Sequence, residues 1–370
     1  MIPVLCPTYD EQTKKELLGV LDSGWVGQGP KTFEFEEKFA EFIGSKYCIM
    51  TNSGTTALDL ALKVYDIKGG ILITTPMTFV SDAIVGEWNG MEVVFADIYE
   101  DTLCLDPKHL FDGVKDISEV KAIIAVDSHG RLADIEGIRE ECKKRGISPL
   151  IIEDAAHACY TNGVGKGDIT IWSFQAVKSL PIFDGGAITT NDEQVYKKLR
   201  TLTWLGIEKS TWERVGSKYT WDYDITQSQG VKGYMTDVQS VIGLGQLRRL
   251  PLTLAHRRRI QRKYTNAFRD HSWFKEPVAS ETVQYYTPQW KDRDGLSEFL
   301  AQKGITTSVH FKPLSEMTYW RKAVKCPLPV TDRVWKNLLS LPVHDGLTMI
   351  DVGYIISQVF EFYENSSNRK

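Results

Sequence analysis

The sequence has little of what disulfide frameworks, metal sites, membrane spans or nucleic-acid surfaces are made from. Its six cysteines (Cys6, Cys48, Cys104, Cys142, Cys159 and Cys326) are scattered and form no CxxC pair. That spacing fits reduced thiols in a cytoplasmic protein. The seven histidines do not cluster with the cysteines, so no metal is assigned. No apolar run approaches the length that spans a bilayer, and the chain does not open on a basic segment followed by an apolar one. No membrane partner is expected. Basic residues form a single run, Arg257-Arg258-Arg259, within a predicted helix. It reads as a solvated helix face, and nucleic acid is not expected as a partner. Internal repeats and low-complexity segments are absent.

What is present is a globular composition: 370 residues, 42% hydrophobic and 25% charged, with a net charge of −4. A chain of this length holds about two domains. Strands are expected over Lys46–Met50, Ile71–Thr75, Val93–Ala96, Ala122–Val126, Leu150–Glu153, Ile169–Phe174 and Ala187–Thr190. Several are apolar on both faces, as strands covered on both sides are. Helices are expected over Glu34–Ile43, Ala57–Tyr65, Asp134–Arg145 and Glu193–Leu202. The alternation predicts an α/β fold with a mainly parallel sheet over residues 1–249. Within it, Ser210–Gly233 is rich in Trp, Tyr, Ser and Gly and reads as a long functional loop. One helix is expected from Thr236-Asp237 to Leu250 and a second over Pro251–Phe268. Strands over Val283–Trp290 and Ile305–His310, with helices over Asp294–Gln302 and Met349–Glu364, make residues 250–370 a smaller α+β domain.

The chemistry-bearing residues follow strand ends. Lys178 closes Ser173-Phe174-Gln175-Ala176-Val177-Lys178, shortly before Asp184-Gly185-Gly186. Its apolar neighbours argue against a plain surface lysine, and the paired glycines let backbone pass close to a ligand. Asp154 ends the apolar run Leu150-Ile151-Ile152-Glu153, where open α/β sheets bind ligands. Taken alone, Asp154 reads equally as a helix N-cap, and His157 as a locally satisfied histidine. A lysine able to form a Schiff base, with an aspartate able to keep a pyridine nitrogen protonated, is what pyridoxal phosphate (PLP) needs from a protein. Asn52-Ser53-Gly54-Thr55-Thr56 opens a helix whose free N–H groups suit an anion, although an ordinary N-cap has the same pattern. Ser173 lies five residues before Lys178 and can reach a phosphate while the lysine reaches the aldehyde. Phe79 can stack on a ring; singly, a core phenylalanine is the simpler reading.

Taken in order, these segments resemble the DegT/DnrJ/EryC1/StrS family of PLP-dependent sugar aminotransferases, within the fold-type I aminotransferases. The resemblance runs from Gly24-Trp25-Val26-Gly27-Gln28-Gly29-Pro30 through Asn52–Leu58, Pro76–Ser81, Asp127-Ser128-His129-Gly130, Glu153–Ala158 and Ser173–Lys178. It continues through Met235-Thr236-Asp237-Val238-Gln239 and Gly304–His310 to Leu341-Pro342-Val343-His344. It implies that Lys178 carries PLP as a Schiff base and moves the proton. Asp154 would hold the pyridine nitrogen, His157 the ring hydroxyl, and Phe79 the ring face. Ser53, Gly54, Thr55 and Ser173 would take the phosphate.

The family works as homodimers and moves an amino group, usually from glutamate, to a keto carbon (C4 or C3) of a nucleotide-linked sugar. Its usual Gly-Tyr-Asn-Tyr-Arg-Met reads Gly230-Val231-Lys232-Gly233-Tyr234-Met235 here. Lys232 therefore takes the place of the asparagine that reaches the neighbouring subunit's phosphate, and would meet it as a point charge. Substrate contacts would come from His310 and from Trp212 and Tyr219 in the long loop. Two relatives of the same fold remain as alternatives: an aminotransferase of a non-nucleotide keto-cyclitol, and a sugar dehydratase, whose members usually carry histidine where this chain has Lys178.

Overall fold

The computed structural model describes residues 1–215 and 219–367, so residues 216–218 of the long loop lie outside the described residues. Each of the seven strands expected within residues 1–249 is present: β1 (Tyr47–Thr51), β2 (Ile71–Thr74), β3 (Glu92–Phe95), β4 (Val120–Val126), β5 (Leu150–Asp154), β6 (Ile169–Ser173) and β7 (Gly186–Thr190). They form one sheet in the order β1-β7-β6-β5-β4-β2-β3. Strands β3, β2, β4, β5 and β6 run parallel, with Ala122–Val126 of β4 in register with Leu150–Asp154 of β5. Strand β7 is antiparallel to both neighbours, β1 and β6. Two reversals restore direction, so β1 points the same way as β6. The carboxyl ends of β1, β2, β5 and β6 therefore share one edge of the sheet, and β7 begins there.

The helices are α1 (Glu11–Asp22), α2 (Pro30–Ile43), α3 (Gly54–Val64), α4 (Ser81–Trp88), α5 (Ile135–Lys144), α6 (Glu193–Leu202), α7 (Asp237–Phe268), α8 (Arg293–Gln302), α9 (Pro329–Val334) and α10 (Met349–Ser367). Alternate strand residues go to opposite faces. Leu72, Ile124, Ile152, Ile171 and Ile188 pack with Leu58, Leu62 and Leu199 of α3 and α6. Met50, Trp172 and Ala187 pack on the other face with Phe35 and Phe39 of α2 and Val241 and Leu244 of α7. A further apolar cluster joins Ile260, Tyr264 and Phe268 to Trp290, Leu300, Leu341 and Ile355.

Four expectations about the fold need correction. Helix α7 is continuous, with Pro251 inside it, where two helices were expected. Proline removes a backbone donor and crowds the preceding turn, but Leu250 and Leu254 bury on either side of it and carry the helix through. The run Arg257–Arg259 is not a solvated face throughout: Arg257 is buried, with Nη2 3.5 Å from Asp345 Oδ1. Consecutive helical residues point about 100° apart, so three in a row cannot all face water on an amphipathic helix.

The strand expected over Val283–Trp290 shortens to β9 (Gln289–Trp290), paired with β8 (Phe274–Lys275). Pro288 has no N–H to give a ladder at that point. Ile305–His310 makes only isolated bridges, Ile2 with Ile305 and Ser308 with Ser340.

Candidate active site

The carboxyl edge of the sheet opens into a cavity of about 570 Å³. Its wall includes Ser53, Gly54 and Thr55 after β1, Thr78 and Phe79 after β2, Asp154 and His157 from β5, and Ser173 and Lys178 from β6. Four strand ends thus bring together residues far apart in sequence, at the place where ligands of open α/β sheets bind. A wider cleft of about 800 Å³ lies near the amino ends of β5 and β6, bounded by Leu150, Asp168 and Ile169, and holds none of these groups.

Lys178 keeps part of its surface accessible because it faces the cavity, but protein surrounds it on the other sides. Burial lowers its pKa to about 8, against the opposing pull of the Asp154 and Asp82 carboxylates. The backbone N–H of Lys178 donates to the Gln175 carbonyl at 2.8 Å, closing a tight turn after β6. Asp154 is the last residue of β5, 6% exposed, and its Oδ1 accepts the Ala156 N–H at 2.8 Å.

His157 is buried, and its Nδ1 accepts the His129 backbone N–H at 3.4 Å. That assignment leaves the proton on Nε2. Burial holds His157 neutral, well below its usual range, and Lys178, His129 and His310 push the same way. His129 adopts φ 58° and its ring stacks parallel to His157 at 6.0 Å.

The phosphate-binding expectation rests on α3. Ser53 does cap this helix, its Oγ accepting the Thr56 N–H at 3.1 Å, so the ordinary N-cap reading holds for the hydroxyl. The N–H groups of Gly54 and Thr55, at the first helical positions, have no acceptor within the helix. Glycine is needed here for close approach. A Cβ on Gly54 would meet Ser173 Cβ at 3.0 Å, and one on Gly186 would meet the Gly54 nitrogen and Ser53 carbonyl at 2.6 Å. Thr55 Oγ1 and Ser81 Oγ are 2.7 Å apart. Phe79 is 60% exposed at the cavity mouth, which corrects the core-phenylalanine reading.

The remaining expected residues divide. His310 lines the cavity, stacked on Tyr285 at 3.7 Å and held by Ser340 Oγ at 2.8 Å. Burial lowers its pKa to about 3. Lys232, Trp212 and Tyr219 do not line this cavity. Lys232 is exposed, its Nζ 5.7 Å from the Trp204 ring. Trp212 meets Trp25 edge-on at 4.9 Å, and Tyr219 packs against Trp221 at 5.1 Å.

Sequence reasoning missed Asp82, Tyr285 and Phe311, which also line the cavity. Asp82 sits in the first turn of α4, where an acidic residue complements the helix dipole and signals nothing more.

The group that the resemblance implies fits these walls. An amine, a carboxylate, a histidine N–H donor and an open helix N-terminus surround a space large enough for a pyridine ring bearing a phosphate.

A model of the DegT/DnrJ/EryC1/StrS aminotransferase family matches residues 7–360. The chain belongs to this family. It is 34% identical over 378 residues to the spore coat polysaccharide biosynthesis protein SpsC of Bacillus subtilis, covering 97% of this chain and 96% of that one. It is 31% identical over 351 residues to the UDP-4-amino-4,6-dideoxy-N-acetyl-beta-L-altrosamine transaminase of Campylobacter jejuni, covering 91% and 90%. The crystal structure of the aminotransferase TlmJ from Streptoalloteichus hindustanus superposes with a TM-score of 0.89 at 27% identity, covering 99% of this chain and 100% of that one. The fold is that of the fold-type I aminotransferases, and the chain is a sugar aminotransferase. Among the described residues no helix is long and apolar enough to cross a membrane.

Proposed function

We propose that this enzyme uses PLP to move an amino group from glutamate to a keto carbon, C4 or C3, of a nucleotide-linked deoxysugar. The observation that carries the reading is the Lys178 amine, lowered to about 8 inside a cavity it shares with Asp154. When bound, the cofactor supplies an electron sink for the carbon that loses its proton.

The chain's own residues do the rest. Lys178 offers an amine that is partly unprotonated near neutral pH, first as the attachment point and then as the base that takes the proton from one carbon and returns it to the other. Asp154 would hold the ring nitrogen and keep it cationic. His157 would donate from Nε2 to the ring oxygen. The N–H groups of Gly54 and Thr55, with the Ser53 and Ser173 segments, would bind the phosphate. Phe79 would cover the ring, and His310 would meet the substrate.

We further propose a homodimer. Lys232, Trp212 and Tyr219 lie outside the cavity of their own chain, which supports their serving the partner's site, with Lys232 on its phosphate. The relatives named for a polysaccharide pathway and a UDP-sugar transamination support the substrate class.

The test is a panel of keto-sugar nucleotides offered to the PLP-loaded protein with glutamate. An aminated sugar and 2-oxoglutarate, with parallel initial-velocity lines, are expected. Failure to aminate any nucleotide sugar, with amination of a free keto-cyclitol instead, would overturn the substrate class.

A further inference from the structure

Asp82 brings a second carboxyl into the cavity beside Asp154. It is 1% exposed. One oxygen, Oδ2, accepts from the Thr78 hydroxyl one turn earlier, and the other, Oδ1, has no donor. The Asp154 carboxyl lines the same cavity and is the neighbouring acid that acts on Asp82, through its charge and through a side-chain hydrogen bond. That hydrogen bond exists only if one of the two acids carries a proton, because an ionised carboxylate only accepts. Two interacting carboxyls in a buried site do not both ionise.

The surroundings decide which one is neutral. Asp154 receives the Ala156 N–H and is the stronger partner of the Lys178 ammonium. Asp82 has only the Thr78 hydroxyl, with Asp154 and Lys178 the titratable groups that face it. Burial, and then the adjacent Asp154 charge, push Asp82 well above the usual carboxylate range.

We propose that Asp82 is a positioning residue that stays a neutral acid and donates its carboxyl proton to Asp154. A carboxylate has about four lone-pair sites. Asp154 can therefore accept the Ala156 N–H and the Asp82 O–H and still present a lone pair to a ring N–H. The added bond fixes the plane of the Asp154 carboxylate, so a ring nitrogen would meet an oriented anion. Among the described residues the Ala156 N–H is the other donor to the Asp154 side chain.

The role rests on the PLP reading, but the placement of the proton does not, and the experiment separates them. Infrared difference spectra of the cofactor-free protein at neutral pH compare the parent with Asp82→Asn. A protonated-carboxyl carbonyl band present in the parent and lost in the variant is expected. Absence of that band in the difference would overturn the neutral acid. PLP titration of the cofactor-free proteins follows. Asp82→Leu, which has no donor, should bind about tenfold more weakly, and Asp82→Asn, which keeps one, should recover most of that loss. Equal affinity of the Leu variant and the parent would overturn the positioning role. If Asp82→Leu does not fold, Asp82→Ala, which also has no side-chain donor, replaces it with the same expected loss. A parent that takes up no PLP at all would sink the functional proposal while leaving the infrared result to decide where the proton sits.

Discussion

Lys178 and Asp154 leave adjacent parallel strands and face one cavity; burial lowers the lysine, and the Asp154 carboxylate is the charge that most opposes that lowering. An amine at about 8 is a compromise between the two. It is basic enough to take a proton from carbon and free enough near neutral pH to act as a nucleophile.

That compromise fixes a pH dependence. Attachment of PLP to the cofactor-free protein needs the unprotonated amine. Its rate should rise about tenfold per pH unit at low pH and level off above about 8, where Lys178 has lost its proton. Stopped-flow absorbance of PLP against pH checks this. A plateau only near the ordinary lysine value of 10.5 would mean that burial does not act on this amine.

Asp154→Asn removes the charge and keeps the shape. PLP should still attach to Lys178, because the amine is intact. Single-turnover reaction with glutamate should slow by roughly 100- to 1,000-fold, as when one preorganised electrostatic contact is removed. A slowing of less than threefold would argue against any role for Asp154 at the ring nitrogen.

Gly186→Ala probes the phosphate segment from behind. The new Cβ would sit 2.6 Å from the backbone of Ser53 and Gly54, which cannot yield as a side chain would. The expected destabilisation is about 1–3 kcal/mol, read as a lowered denaturant midpoint, with weaker PLP binding because the α3 N-terminus is displaced.

Lys232 tests the dimer. Lys232→Ala should weaken PLP binding, and so should Lys178→Ala abolish attachment. Mixed and re-equilibrated, the two variants form dimers in which one site has both lysines. At equal amounts about a quarter of the sites should recover parental behaviour. No recovery, with exchange of subunits verified by mass, would place Lys232 outside the partner's site.

The sheet was legible because its strands are apolar on both faces; Ile123, Ile124, Ile151 and Ile152 alternate between two buried layers. Strand ends then pointed to Asp154, Ser173 and Lys178 with no knowledge of the cavity. Helices α1 and α4 left weaker marks. Leu18 and Leu21 of α1 are exposed, and α4 is only eight residues long. The break between two helices expected at Pro251 does not occur, because tertiary burial outweighs a local penalty.

Asp82 and Tyr285 were invisible for a different reason. Neither belongs to a local pattern, and each becomes part of the site only when chain segments distant in sequence converge.

The central claim is that one buried amine becomes the covalent anchor of PLP. The direct measurement is borohydride reduction of the PLP-loaded protein followed by peptide mapping by mass spectrometry. The account predicts a single pyridoxyl-modified peptide, carrying the label on Lys178 and missing from Lys178→Ala. A label distributed over surface lysines, or one retained at full level in Lys178→Ala, would contradict it.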